Sequence, residues 1–494
     1  MRVVFLCCLG WGLMMSGGVG MGAPNVLLIV ADDLGWADLG CYHVTAPGAE
    51  RDRGGGSDLH ETPNLDALAA SGVRFTDAYA ASPVCTPTRA SIQTGLAPAR
   101  VRMTIWRESA QRRREGKAML EPLCEEDLST EYQTLGELFS AAGYVTAHVG
   151  KWHLGGPTAF PEAHGYRISV GGNIWGAPDS FFYPFRGAET FKRDGFRYVP
   201  GLSYAKEGDV LTDVLTDEAI RVMDFAQDLG EPFFLCLSYY TVHTPIEAVA
   251  EDVAYFEGKV NAGMRHQNAT YAAMVRSLDE NVGRLLEHLW DAGMEEETIV
   301  VFLSDNGGFD GKFQGRVVTN NAPLRSGKGS CYEGGIRIPL IVRWPGDGAE
   351  GGVCAAPVIT TDLFASLGEM AGVWSESAEG AGRDGESFAA LVREPGYEME
   401  ERGLYFHYPH YYHNTGPVSA MRRGDWKLLM YYEPEGRRVE LYDLGEDLGE
   451  ARDLSDTMVE KAGELRGELE GWLEEVGAQL PETAGVENDG TANE

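Results

Sequence analysis

The sequence predicts an α/β fold, with a mostly parallel central sheet sandwiched by helices and a smaller C-terminal region of strands plus one helix. Three observations carry that expectation. Continuously apolar runs such as PNVLLIV (24–30) and TIVVFLS (298–304) have the pattern of strands covered on both faces. They alternate with amphipathic segments suited to crossover helices, the longest being ATYAAMVRSLDENVGRLLEHLWDAG at 269–293. After a Gly- and acid-rich connector at 379–387 the pattern changes to closely spaced strand-like runs and a helix near 456–476.

In order, residues 1–22 combine an early Arg2, the apolar run VVFLCCLGWGLMM and small residues, the pattern of a secretory signal peptide too short to span a bilayer. No other stretch is long and apolar enough to cross a membrane, so the expectation is an exported protein, periplasmic or secreted. After the PNVLLIV strand comes an insertion (43–60) containing ERDRGGGSD, expected to be a solvated loop. A helix at 61–72 is closed by Gly72, a helix at 133–143 by Gly143, and YVTAHVG (144–150) and FFLCLSYYTV (233–242) are strands. The charge-rich stretch 99–131, with QRRREGK at its centre, reads as a surface loop rather than a substrate lip. Asn268 is expected to cap the long helix rather than to carry a glycan. Residues 23–378 form the large domain, 379–480 the small one, and 481–494 a polar tail expected to be disordered.

Composition narrows the function. At 494 residues, 44% apolar and 23% charged, the chain can bury a large core and has the balance of a soluble globular protein. Its formal charge of −34 argues against nucleic acid or anionic membrane as partners, and means that any anionic ligand must meet cations focused into one pocket. Six cysteines follow the leader, with no spacing that implies a disulfide framework.

Four of the apolar runs deliver polar residues at their carboxyl ends: Asp32-Asp33, Lys151 and His153, His243, and Asp305-Asn306. Ligands of open α/β sheets bind beyond that edge. Hard oxygen donors such as Asp32, Asp33, Asp305 and Asn306 suit Ca²⁺ or Mg²⁺, although Asp, Asn and Gly also dominate ordinary turns. Arg89, Lys151 and Lys328 offer positive charge, the last between Gly327 and Gly329. His153 and His243 suit proton transfer near neutral pH. The stretch SPVCTPTRASIQTG (82–95) sets Cys85 at the mouth of a helix, with Pro87 in the first turn and Arg89 one turn on.

C-x-P-x-R followed by Thr94-Gly95, with G-K-W-H-L-G around Lys151 and V-H-T-P around His243, resembles the type I sulfatases over nearly the whole mature chain. That resemblance implies an alkaline-phosphatase-like fold ending in a small antiparallel sheet with one helix. It implies that a maturation enzyme oxidises Cys85 to Cα-formylglycine. It also implies a divalent cation, usually Ca²⁺, held by Asp32, Asp33, Asp305 and Asn306 beside residue 85. In such a mechanism one hydroxyl of the hydrated aldehyde attacks sulfur, and His243 with Lys328 protonates the departing alcohol. His153 then takes the proton of the second hydroxyl, so that sulfate leaves. Sulfated carbohydrate is the expected substrate. HYPHYYH (407–413), with His407 and His410, and Trp175 in GGNIWGAPDSFFYP (171–184) are candidate sugar-facing walls, the alternative for each being a packed segment. The rival readings are a phosphomonoester or phosphonate hydrolase on the same fold, and a non-catalytic binder of sulfated glycans whose Cys85 is never oxidised.

Overall fold

A computed structural model describes residues 22–43, 56–186, 197–374, 382–413 and 415–484. The expected leader up to residue 21, most of the 43–60 insertion and the tail from 485 lie outside the described residues.

The large domain is built on a nine-stranded sheet. Its strands are Asn25–Ala31 (β1), Val73–Tyr79 (β2), Val145–Gly150 (β3), Ile168–Val170 (β4), Phe233–Ser238 (β5), Thr298–Ser304 (β6), Arg337–Arg343 (β7), Gly352–Cys354 (β8) and Val358–Ile359 (β9). The order is β8-β2-β7-β6-β1-β5-β3-β4, with β9 also on β2. Only β7 runs antiparallel to its neighbours β2 and β6. All seven residues of β1 are buried, as a continuous apolar run in a doubly covered strand requires. Each such Val, Leu or Ile contributes roughly 1.5–3 kcal/mol on leaving water.

Alternate side chains of β1 serve two cores. Leu27 and Ile29 pack toward helices Leu211–Leu229 and Ala269–Asp291, with Leu215, Met223, Leu278 and Leu285. Leu28 and Val30 point the other way, into a core holding Ile92 of helix Cys85–Thr94 and Phe364 and Leu367 of helix Asp362–Met370. Asn268 does cap the long helix, its side chain accepting from the Tyr271 N–H at 3.2 Å.

Three expectations need adjustment. The strand beginning at Phe233 ends at Ser238 rather than 242, because the chain then leaves the ladder and pairs with the end of β1 by separate bonds (Asp32 N–H to Thr241 O, Val242 N–H to Asp32 O). Among the closely spaced strand-like runs, the one at 419–432 is two strands, Val418–Arg423 and Trp426–Glu433, because Gly424 at φ 56° turns the chain back on itself. The chain beyond Pro481 begins with Glu482–Thr483 paired antiparallel to Met119–Leu120.

Gly403–Tyr408, Val418–Arg423, Trp426–Glu433 and Gly436–Asp443 form an antiparallel sheet in chain order, backed by helix Val459–Glu475. A buried ionic network ties this sheet to the large domain. Lys427 Nζ lies 2.8 Å from both Glu333 and Glu450, Arg337 bridges Glu333 and Asp77, and Arg422 pairs with Asp77 at 2.7 Å.

Candidate active site

Strands β6, β1, β5 and β3 are consecutive neighbours and mutually parallel, so their carboxyl ends stand side by side about 4.8 Å apart. This adjacency collects Asp305-Asn306, Asp32-Asp33, His243, and Lys151 with His153. Cys85 arrives from the other side, on the first residue of the helix Cys85–Thr94 that follows β2. Gly95 ends that helix in the left-handed region (φ 67°), where a side chain would be strained. Lys328 comes from the loop between β6 and β7. Asp33 and His153 themselves sit at φ 61° and 59°, and such strain in non-glycine residues is typical of sites the surrounding fold over-determines.

Three carboxylates meet here, each held by its own cation. Lys151 Nζ is 2.7 Å from Asp32 Oδ2, Lys328 Nζ 2.7 Å from Asp33 Oδ2, and Arg89 grips Asp305 Oδ2 through Nε at 2.9 Å and Nη2 at 2.8 Å. Arg89 also donates to the Lys151 carbonyl at 2.8 Å. Asn306 donates to Asp33 Oδ1 at 2.9 Å, which turns its own carbonyl oxygen away from that bond. Asp32 Oδ1 and Asn306 Oδ1 are buried with no hydrogen-bond partner. Oxygens of Asp32 and Asp305 and the sulfur of Cys85 all lie within 4.8 Å of one another. Burial pushes the Asp32 carboxyl well above its ordinary range, and the charges of Asp305 and Asp33 add to the push against Lys151. Orphaned acceptors, crowded carboxylates and an all-oxygen side-chain set fit a hard divalent cation.

The second half of the site handles protons. The Cys85 thiol is drawn down to about 6: burial opposes ionisation, but Lys151, Lys328 and His153 outweigh it. His153 Nε2 lies 2.7 Å from Glu108 Oε2, and since an ionised carboxylate only accepts, Nε2 carries the hydrogen and Nδ1 is left as a base. The Glu108 carboxyl, though buried, is held well below its usual range by His153. His243 Nδ1 lies 2.7 Å from the Thr244 carbonyl, so that nitrogen is the donor and Nε2 is unprotonated. Burial and the nearby Lys328 charge push His243 down to about 3, against the pull of Asp33. Lys328 is raised well above its ordinary value: burial works against its charge, but Asp33 and Cys85 prevail.

A cleft of about 370 Å³ opens above Cys85, lined among others by Glu108, His153, His243 and Lys328. The candidate wall residues fare differently. His407 and His410 are buried and turned away from the cleft: His407 bonds Ser419 Oγ and the Gln479 carbonyl, and His410 bonds Thr104. His407 alternates with Phe406 and Tyr408 and so faces away from the large domain, while His410, past the end of that strand, packs against Thr104 across the seam; the sugar-facing expectation fails for both. Trp175 is half-buried under the Arg197 guanidinium, next to the lining residue Gly176. Tyr412, from the same HYPHYYH segment, does line the cleft. The charged stretch 99–131 is corrected too, since Trp106, Glu108, Ser109 and Arg112 form part of the wall. Glu108 is the functional candidate that sequence reasoning missed; an acid inside a run of arginines gave no spacing signal.

The family model "Sulfatase" matches residues 24–373, and the model "N-sulphoglucosamine sulphohydrolase, C-terminal" matches residues 327–479. A sulfatase of Formosa agariphila is 31% identical over 91% of this chain and 88% of its own length. Arylsulfatase A of Bos taurus is 31% identical over 92% of this chain and 88% of its own. The crystal structure of Ps i-CgsB in complex with k-i-k-neocarrahexaose is 30% identical, covers 92% of this chain and 93% of that one, and superposes with a TM-score of 0.74.

Proposed function

The chain belongs to the sulfatase family, whose members hydrolyse sulfate esters, and we propose that its substrate is an O-sulfated carbohydrate cleaved with formylglycine at position 85 and a bound divalent cation. The observation that carries this reading is the pair of unbonded buried acceptors, Asp32 Oδ1 and Asn306 Oδ1, in the cluster of acids that adjoins Cys85. The carbohydrate part is supported by the cleft's aromatic wall and by a relative crystallised with a neocarrahexaose.

Asp32, Asp33, Asp305 and Asn306 would hold the cation, Ca²⁺ or Mg²⁺, which supplies positive charge against the sulfate oxygens and residue 85. Formylglycine, once hydrated, supplies two hydroxyls on one carbon, which a serine or cysteine lacks. Arg89 and Lys151 orient Asp305 and Asp32 while adding positive potential at residue 85. That the same potential draws a thiol there down to about 6 supports stabilisation of an oxyanion. Lys328, charged and on the cleft side, is the proton donor to the departing alcohol. His243, neutral with a free Nε2, accepts a hydrogen bond there instead of carrying the proton. His153, with Nε2–H committed to Glu108, takes a proton at Nδ1 from residue 85. A maturation enzyme that oxidises the thiol must act before folding buries Cys85 to 4% exposure. Among the described residues no helix is long and apolar enough to cross a membrane, and the leader-like residues 1–22 support export.

Mass analysis of the Cys85 tryptic peptide, together with kcat/KM on matched aryl sulfate and aryl phosphate, tests the reading. Formylglycine and a sulfate preference are expected. A strong phosphate preference would point to a phosphoester hydrolase, and sulfated-glycan binding with an unoxidised thiol and no turnover to a binding protein.

A further inference from the structure

A short way past Asp33 the chain buries a second set of donor atoms, which no step at Cys85 uses. Asp38 ends the 3₁₀ turn Trp36–Asp38 that follows β1, His60 stands just ahead of the helix Pro63–Ala70, and His266 just ahead of the long helix Ala269–Asp291. All three side chains are buried, and one donor atom from each lies within 4.8 Å of the other two. Among the described residues Asp38 pairs with these two histidines and with no lysine or arginine. A carboxylate so deeply buried needs positive charge beside it.

The distances suit a metal ion better than hydrogen bonds. His60 Nδ1 and His266 Nε2 each lie 3.5 Å from the same oxygen, Asp38 Oδ1. That is long for a hydrogen bond. It is close to the edge, roughly 3.4 Å, of a tetrahedron whose corners stand about 2.0–2.1 Å from a zinc ion. Proton placement points the same way. His266 Nδ1 faces the Asp58 carboxylate at 3.2 Å and the Ser57 hydroxyl at 3.1 Å, and since an ionised carboxylate only accepts, Nδ1 carries a hydrogen. A neutral His266 thus turns a bare Nε2 toward two oxygens, Asp38 Oδ1 and the Asn320 carbonyl, the latter at 2.9 Å. A cation has to stand between them, either a second proton on the ring or a metal ion. His60 Nδ1 faces oxygens too, the Asp38 carbonyl at 3.2 Å and Asp38 Oδ1. The two ring centroids are 4.5 Å apart, where two imidazolium charges would repel and one divalent ion serves both nitrogens. The outer contacts match as well. Asp58 behind His266 forms the carboxylate–histidine pair that orients a ligating ring. Asp38 itself is fixed by the Gly35 N–H and the Tyr271 hydroxyl on Oδ2, both at 2.7 Å, and by the Thr319 hydroxyl on Oδ1 at 2.6 Å.

We propose that Asp38 Oδ1, His60 Nδ1 and His266 Nε2 bind a zinc ion, separate from the cation beside Cys85 and whether or not the chain turns over sulfate esters. Two imidazoles and one carboxylate favour Zn²⁺, whereas the all-oxygen set at the cleft favours a hard ion. The protons that zinc displaces from the two rings leave to solvent, and the ion ties the turn after β1 to the approaches of two helices.

The test is equilibrium dialysis of the full chain against Zn²⁺, with Ca²⁺ in excess to fill the oxygen set, and Co²⁺ in place of Zn²⁺ for a visible spectrum. One equivalent of zinc, and the cobalt bands of a nitrogen–oxygen site, are expected in the parent and equally in Asp32→Asn. His60→Gln and His266→Gln should each weaken zinc by about a hundredfold or more, and Asp58→Asn, on an exposed residue that leaves all three ligands in place, by about tenfold. Melting temperatures in zinc-free buffer check that each variant is folded, and added Zn²⁺ should raise them in the parent but not in the two glutamine variants. Zinc held no better by the parent than by those variants overturns the proposal and leaves His266 an imidazolium between Asp38 and Asp58. Zinc lost from Asp32→Asn but kept by the histidine variants overturns it too, by placing the ion beside Cys85. Should a glutamine variant fail to fold, Asp58→Asn decides, and an unchanged zinc affinity there overturns the site.

Discussion

Two clusters of buried charge lie against the same sheet, and each sets three acids against three bases. At the cleft they are Asp32, Asp33 and Asp305 with Arg89, Lys151 and Lys328; at the domain seam they are Asp77, Glu333 and Glu450 with Arg337, Arg422 and Lys427. Burial and net charge therefore do not separate a site from a strut. Connectivity does. The seam is one chain of shared partners, Arg422–Asp77–Arg337–Glu333–Lys427–Glu450, sealed between two domains and tied in further by the Tyr79 hydroxyl at 2.7 Å from Glu333. In the cleft cluster each acid has its own nearest cation, and only Arg89, 4.0 Å from Asp32 Oδ1, reaches a second acid. The cluster's remaining oxygens include two buried acceptors with no hydrogen-bond partner among the described residues, and it opens to solvent. The seam too has buried polar atoms without a hydrogen-bond partner, Arg337 Nη2 and Glu450 Oε1. But Glu450 Oε1 lies 2.8 Å from the Lys427 cation inside a sealed interface, whereas the cleft's two are both oxygens beside an opening, where a cation can reach them.

The comparison breaks most visibly at residue 85. Cys85→Ala is expected to lower sulfate-ester turnover by roughly four to six orders of magnitude, with little change in melting temperature; substantial residual turnover would remove the nucleophile from the site. At the seam the effects invert. Lys427→Met leaves Glu333 and Glu450 without the cation they share and is expected to destabilise folding by about 3–5 kcal/mol, measured by urea denaturation, while kcat/KM per folded molecule is retained. Removing Ca²⁺ and Mg²⁺ by dialysis sharpens the contrast. Dialysis is expected to lower the stability of the parent protein, by about 2.7 kcal/mol if the cation was present at a hundred times its Kd. The same treatment of Asp32→Asn should change nothing further, and Lys427→Met should keep the full response. Equal responses in all three proteins would show that the unsatisfied acceptors are not the cation's ligands.

The smallest effect is in pH. Burial and the charge of Glu333 push Glu450 up to about 7 despite Lys427, above the 4.5 of an ordinary glutamic acid. A carboxyl with a raised folded-state pKa takes up more protons folded than unfolded between those values, so its contribution is fully present below about 4.5 and is lost as pH rises through about 7. Glu450→Gln should flatten that decline in melting temperature between pH 5 and 8, and a parallel profile in the variant would show that Glu450 is ionised throughout.

Much of this arrangement is legible in one dimension because its signals are local. The apolar run TIVVFLS is strand β6 residue for residue, and Asp305 and Asn306 follow it at once. Cys85, Pro87 and Arg89 fall on one short helix whose limits, Val84 and Gly95, are themselves local features. His243 was harder, since four residues separate it from the end of its strand and only pairing with β1 returns it to the edge. The HYPHYYH segment shows where local reading stops: its composition marks an interface, but the packing of the sheet decides that His407 turns toward Ser419 and Gln479, that His410 enters the seam against Thr104 and that Tyr412 reaches the cleft.

The amino-acid sequence by itself determined the strands, the order of helices, the chemistry at each strand's carboxyl end and the identity of the nucleophile's position, because apolar periodicity and short-range motifs act over a few residues. Tertiary structure alone decided which oxygens remain unbonded around Cys85, that Glu108 reaches His153 across 45 positions, and that Arg112 from a surface-like run lines the cleft. Those outcomes depend on distances between segments remote in the chain, and it is the packing of the sheet and its two cores that sets them.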